Sequence, residues 1–390
     1  MIGPRVAMAM MGRVRGWLFL AWPGAWVAAV LGLACGVPGG ADWIPGVAAA
    51  PALACAGSGR RRCVAVHGGL AVAALFVPGA GRPRPGAVVA VVAVLAACFW
   101  LADRRRRLAA ELARTREVAV AAQRVLLRPL PQRVSDVTVA ADHVSASRGA
   151  DVGGDLYEVL ATSYGVRAVI GDVRGHGLEA ISTVAALLGT FREAAYDEPE
   201  LGGLLVRMDR ALARHVAERA YAAEEFVTLM LLQLDEDGQV DVLNCGHPGP
   251  YRLSADRPGR VLALPLEAGE PLPPLGLVDV AAEAKAVRCG RLLPGQALFL
   301  HTDGVADARD ADGAFFPLTA ALEGAARAAG GRTLCARALV DAVRAAFMRH
   351  TRGRLTDDMA LLVLHRDAPR VPVQACGART VTRRPGVPRV

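Results

Sequence analysis

Lysine is almost missing from this chain: of its 45 basic residues only Lys285 is one, and the rest are arginine. The arginines are unevenly placed. Residues 1–107 hold twelve of them against two aspartates, a charge of +10, and residues 366–390 hold six against one aspartate, +5. Taking these from the total of +8 leaves −7 for residues 108–365. The basic excess therefore belongs to the two ends. The acidic middle suits a cation and argues against a nucleic-acid surface. The eight cysteines include no Cys-x-x-Cys pair, so neither a disulfide framework nor a zinc site is indicated. No Ser-His-Asp or cysteine-based constellation is present to support a covalent nucleophile, there is no internal repeat, and no recognisable sensor domain precedes the acidic middle.

Apolar residues are abundant, at 53 % of the 390, with a mean hydropathy of +0.31. Four N-terminal segments stand out: Gly16 to Cys35, Trp43 to Ala56, Cys63 to Val77, and Gly86 to Ala102. The first is about twenty uncharged residues, ~30 Å as a helix, the thickness of a bilayer core. A cleaved signal peptide is the alternative for it, with a cleavage site within Ala28 to Ala34. Read as spans, the four predict a multi-pass cell-membrane protein, all-α over 1–102, with both the N-terminus and the large C-terminal region cytoplasmic. Arg5, Arg13, Arg15, Arg60 to Arg62 and Arg104 to Arg107 would then lie inside, although Arg82 and Arg84 would not.

Residues 103–131 read as a linker helix ended by Pro129-Leu-Pro131, free of glycine and proline up to that point. Leu108, Leu112, Val118, Ala122 and Val125 form one apolar stripe. It fits either packing on the following domain or a homodimer coiled coil through 104–128. From 132 to 366 the pattern is α+β. Strands are expected over 137–144, 155–160, 167–172, 226–234, 239–244, 250–253, 279–288, 296–300 and 359–364. Helices are expected near 178–196, 200–218, 317–329 and 332–349, and proline-rich 264–276 reads as a loop. Antiparallel strand runs interrupted by two helical hairpins predict two packed antiparallel sheets flanked by helix pairs. Residues 367–390, rich in Arg, Pro and Val, read as a disordered basic tail.

Four acidic motifs sit at strand ends in this region. They are Asp151-Val-Gly-Gly-Asp155, Gly171-Asp172-Val173, His301-Thr-Asp303-Gly304, and Thr356-Asp357-Asp358-Met359. For either of the first two alone, an ordinary turn aspartate is the favoured reading. Together, four or five carboxylates with few nitrogen or sulfur ligands suit Mg²⁺ or Mn²⁺. Two such ions about 3.5–4 Å apart would clamp a water, lower its pKa and aim it at phosphorus.

These motifs, with Asn244-Cys-Gly-His-Pro248 and Gly171-Asp-Val-Arg-Gly-His-Gly177, resemble those of the PPM-type (protein phosphatase 2C) metal-dependent Ser/Thr phosphatases, in their bacterial SpoIIE-like branch. The resemblance covers about residues 115–366 and implies the PPM fold. Asp172 would bridge the two ions, the Val173 carbonyl would complete one of them, Asp155 would bind one ion, and Asp303 and Asp357 the other. Asp358 would position the loop, the choice within the pair staying open. Asp307 matches the place where some members hold a weaker third ion, although a capping or surface carboxylate is the preferred reading. His176 lies four residues after Asp172, where the family's general acid does not transfer, so a turn role is preferred. Arg148 could meet substrate phosphate or be incidental. The implied partner is a phosphorylated anti-sigma-factor antagonist protein. Two other classes stay open. One is a non-enzymatic membrane receptor or scaffold that keeps the fold. The other is a nucleotide cyclase, suggested by Gly153-Gly-Asp155 but lacking the acidic-Phe ending of that loop.

Overall fold

The computed structural model describes residues 22–37, 46–58, 61–77, 85–145, 153–175, 177–218, 225–257, 260–280, 284–328 and 334–367. The chain divides into two compact units, 1–115 and 116–390. The first is helical: α1 over 22–36, α2 (Ala49–Ser58), α3 (Arg61–Ala74) and the N-terminal part of α4 (Pro85–Leu126). Its core is small and aliphatic, with Val27, Val30, Ala50, Ala71, Leu75 and Val91 buried together.

The expectation of membrane spans is corrected here. Among the described residues no helix is long and apolar enough to cross a membrane. The reason is length. Helix α2 has 10 residues and α3 has 14, the latter opening on two arginines. At 1.5 Å per residue these reach about 15 and 21 Å against a core of about 30 Å. In α4 the apolar turns stop at Asp103 and the four arginines after it, about 27 Å from the helix start. The multi-pass, cell-membrane placement is therefore not supported. Residues 1–21, and the tail expected over 367–390 apart from Asp367, lie outside the described residues.

The second unit is a sandwich. One sheet has the order β1-β2-β11-β10-β7-β8 and the other β3-β4-β5-β6-β9. The first is built from β1 (Arg133–Val134), β2 (Val137–Val144), β7 (Tyr251–Arg257), β8 (Arg260–Pro265), β10 (Ala297–His301) and β11 (Met359–Arg366). The second contains β3 (Asp155–Thr162), β4 (Gly165–Val173), β5 (Val227–Leu234), β6 (Gln239–Cys245) and β9 (Val287–Arg291). All ladders between these strands are antiparallel. Helices α5 (Leu178–Asp197) and α6 (Leu201–Ala217) cover one outer face, α8 (Leu318–Ala328) and α9 (Ala336–His350) the other.

Both faces of the central strands are buried, so their side chains alternate between two cores. In β10 and β11, Leu298, Leu300, Leu362 and Leu364 enter the space between the sheets, while Phe299, Leu361 and Val363 face α8 and α9. That is why Met359 to Leu364 reads as an unbroken apolar run. The architecture matches the expected pair of antiparallel sheets. Strand β8 is not among the expected strands, and only its last two residues fall in the loop expected over 264–276: it is short and closed by Pro265, and only Val261 and Ala263 of it are buried. The four-residue helix α7 (Asp303–Ala306) was also missed.

Arg167 of β4 is wholly buried. Its guanidinium donates to the carbonyls of Ala195 (2.8 Å), Glu198 (2.5 Å) and Pro199 (2.7 Å) and to Gln233 Oε1 (2.8 Å). It thus closes the C-terminal end of α5, where unsatisfied carbonyls carry partial negative charge. Arg167→Met would strand these acceptors in the interior. Its expected cost is about 3 kcal/mol or more, read as a lower urea midpoint; an unchanged midpoint would remove the arginine from this account.

Candidate metal centre

Strand periodicity assembles the site. Along β3, Tyr157 and Val159 face the inter-sheet core; along β4, Ala168 and Ile170 do so. Two-residue steps from these place Asp155 and Asp172 on that same face, at the rim. The β3–β4 register sets them directly opposite one another. Like charges in that position repel. Thr302 follows Leu300 on the inter-sheet face of its own strand and is wholly buried. Its hydroxyl donates to Asp155 Oδ2 at 3.2 Å and accepts the Ala360 N–H at 2.9 Å. One threonine thereby ties the first acidic motif to the third, where it precedes Asp303, and to the strand that follows the fourth. Asp303 opens α7 and lies half-buried.

Within the last motif the two aspartates differ. Asp358 is buried and Asp357 is exposed. Asp357 Oδ1 accepts the Asp358 N–H at 2.8 Å. The charge of Asp358 acts on Asp155 and Asp172, and that of Asp357 on Asp172 and Asp303. Asp307 is exposed at the end of α7 and close enough to act on Asp303. The Val173 amide donates to the Gly154 carbonyl at 3.1 Å, which brings the Val173 backbone alongside the first motif. A methyl group at Gly154 would overlap the Val173 carbonyl oxygen, and one at Gly304 would overlap the Asp358 carbonyl oxygen. Only glycine lets these chains approach so closely. Arg148 and His176 lie outside the described residues.

Burial, then the neighbouring carboxylates, raises the proton affinity of the group. Asp155 is pushed well above the carboxylate range, first by burial and then by Asp172, Asp358 and Asp303. Asp172 rises to about 8 from the same causes, with Asp303, Asp357 and Asp358 as its neighbours, and Asp303 is raised as well. Such a set is stable in its charged form only with compensating cations. Its donors are all oxygen, which fits Mg²⁺ or Mn²⁺. As the side chains stand, though, no three His, Cys, Asp or Glu groups among the described residues close on a common point as a metal cage does. The fit rests on donor chemistry, mutual charge and glycine spacing.

Two histidines, His247 and His301, are buried close to one another. His247 Nδ1 is 3.2 Å from Thr228 Oγ1, and Asn244 holds its backbone through two bonds of 2.8 and 2.9 Å. Burial and the nearby His301 lower its pKa to about 3, so it is neutral. His301 Nδ1 lies 3.0 Å from the Thr302 carbonyl. A third histidine, His143 at the end of β2, was not singled out from the sequence. Its Nε2 lies 3.7 Å from Asp155 Oδ2. The signal was there: Val137, Val139 and Ala141 form an every-other-residue apolar face, and the next position on it is His143.

The family model described as Stage II sporulation protein E (SpoIIE) matches residues 162–367. Among solved structures, the RsbU and RsbW domains of a Mycobacterium tuberculosis protein are 23 % identical, with 60 % of each chain covered and a TM-score of 0.46. The SiaA-PP2C domain of Pseudomonas aeruginosa is 17 % identical over 68 % of this chain and 99 % of that one, with a TM-score of 0.48. The PP2C phosphatase domain of SpoIIE from Bacillus subtilis, with a fragment of its regulatory domain, is 17 % identical over 60 % and 64 %, with a TM-score of 0.43. This chain therefore spans less than two thirds of the length of the first and third of these. With more than half of its residues inside the family model, the chain belongs to the SpoIIE family.

Proposed function

We propose that this protein hydrolyses phosphoserine or phosphothreonine on a protein substrate, using two divalent ions, Mn²⁺ or Mg²⁺. Asp172 would bridge them, with Asp155, the Val173 carbonyl, Asp303 and the Asp357–Asp358 pair as the remaining donors. Bound there, the ions would supply charge compensation and an activated water for in-line attack. The observation that carries this reading is that carboxylates from four motifs spread over some 200 residues raise one another's proton affinity at one rim of the sandwich. The chain's own part is orientation. Thr302 fixes Asp155, the β3–β4 register fixes Asp155 against Asp172, and Gly304 lets the 357–358 loop lie against α7. Asp307 would serve a third, weaker ion.

Family membership supports a phosphorylated anti-sigma-factor antagonist as the substrate, and the Mycobacterium tuberculosis structure named above joins an RsbU to an RsbW domain. Leu108 and Leu112, and separately Val118 and Val125, are exposed apolar residues, which supports pairing of two copies through 104–128. The alternative is a non-enzymatic scaffold that keeps the fold. The deciding experiment is hydrolysis of an aryl phosphate and of phosphoserine proteins by the full chain. Turnover with Mn²⁺ that stops on chelation is expected. Tight Mn²⁺ binding without any turnover would select the scaffold.

A further inference from the structure

We infer that His143 is a nitrogen donor of the metal centre, sharing an ion with Asp155, and that it biases the centre toward Mn²⁺ over Mg²⁺. This rests on the two-ion reading above and adds a residue that none of the four acidic motifs contains.

Three observations converge on it. First, β2 pairs with β11 so that His143 stands opposite Ala360, the residue whose N–H Thr302 Oγ1 accepts while donating to Asp155. His143 is thereby built into the same cluster from the other side. Second, its Nε2 is buried and makes no hydrogen bond among the described residues. A polar ring atom left so in an interior costs free energy unless something takes it up. Third, Asp155 Oδ2 is 3.7 Å away, and the charges of Asp358 and Asp142 act on the same ring. That distance is too long for a hydrogen bond. It is short enough for a shared ion, because divalent ions of this kind sit about 2.0–2.2 Å from oxygen or nitrogen donors.

The consequence is selectivity. Mg²⁺ takes oxygen donors in a strict octahedron and gains little from imidazole, whereas later divalent ions accept it more readily. An imidazole set among carboxylates therefore favours Mn²⁺ of the two. His247 Nε2 is also buried without a hydrogen bond among the described residues, but no carboxylate acts on its ring or on that of His301, whereas Asp358 and Asp142 act on His143.

The test uses the full chain and Mn²⁺ itself. Electron spin-echo spectroscopy of the Mn²⁺-loaded wild type should show modulation from a directly bonded ¹⁴N, and His143→Gln and His143→Ala should lose it. Calorimetric titration should show Mn²⁺ binding weakened roughly tenfold in both variants, the size expected for loss of a group that tunes a metal centre. Mg²⁺ affinity should change by less than about threefold, because little of it depends on nitrogen. A wild-type spectrum without directly bonded nitrogen overturns the inference even if neither variant folds. So does equal Mn²⁺ affinity in wild type and folded variants. Failure of the underlying reading looks different: the wild type would bind no Mn²⁺, or Asp172→Asn would bind it unchanged.

Discussion

Asp172→Asn is expected to abolish Mn²⁺-dependent phosphatase activity while raising the melting temperature of the chelated protein. The loss should be at least about 100-fold, since even a hydrogen-bond partner of a metal ligand is worth 10–100-fold. The gain in stability follows from the same carboxylate. Without metal, Asp172 is held by burial and by Asp303, Asp357 and Asp358 at a pKa of about 8, far above its ordinary value of 3.8. The folded state therefore binds more protons than the unfolded state between those limits. Its stability contribution is full below about pH 4 and is lost as pH rises through about 8. Asparagine keeps the shape and deletes that loss. Thermal melts in chelator from pH 5 to 8.5 should show wild-type stability falling with pH, more steeply than in the variant. A variant that melts lower than wild type at pH 8, or that retains full activity, would separate Asp172 from the role assigned to it.

Gly304→Ala should be the most damaging small substitution in the domain. The new methyl meets the Asp358 carbonyl oxygen, a backbone atom that no side-chain rotation can move. The neighbouring backbone cannot yield easily, because Thr302 and Ala360 are bonded both by the Thr302 N–H to the Ala360 carbonyl (3.2 Å) and by the Ala360 N–H to Thr302 Oγ1 (2.9 Å). The 357–358 loop has to swing away from Asp303. A cost of about 1–3 kcal/mol is expected from the overlap, together with loss of most metal-dependent activity. Gly324→Ala is the control. It lies inside α8 with nothing near its Cβ position, and alanine there should stabilise by about 0.5–1 kcal/mol. Activity and melting temperature of the two variants, measured side by side, separate a local clash from a general intolerance of added methyls. Equal behaviour of the pair would show that close approach at Gly304 does not matter.

Much of the second unit could be read along the chain because its elements have strong periods. The α5–α6 hairpin and the central strands carry apolar spacing that few alternatives fit, and the acidic motifs announce themselves as aspartates beside glycines at strand ends. Strand β8 escaped because two buried side chains are too few to reveal alternation. His143 belongs to none of the acidic motifs and stands as a single polar residue continuing the apolar face of Val137, Val139 and Ala141. The same alternation, carried back from Leu362 and Ala360 in β11, points Asp358 rather than Asp357 between the sheets, in keeping with the burial of the former. The N-terminal apolar segments misled for a related reason. Hydropathy counts residues, whereas spanning needs an uninterrupted helical length, and the described helices there are too short or too soon interrupted by charge.

What the sequence determined by itself is local. It set which stretches extend, which coil into helices, and that aspartates stand at four strand ends, because periodicity, propensity and turn chemistry act over a few residues. What only tertiary structure decided is juxtaposition: that Asp155 faces Asp172 across a ladder, that Thr302 reaches back to Asp155 across 147 residues of chain, and that His143 arrives at the same rim from the other sheet. Those contacts depend on strand order and sheet stacking, which are settled by burying all three cores at once, and no local pattern encodes that sum.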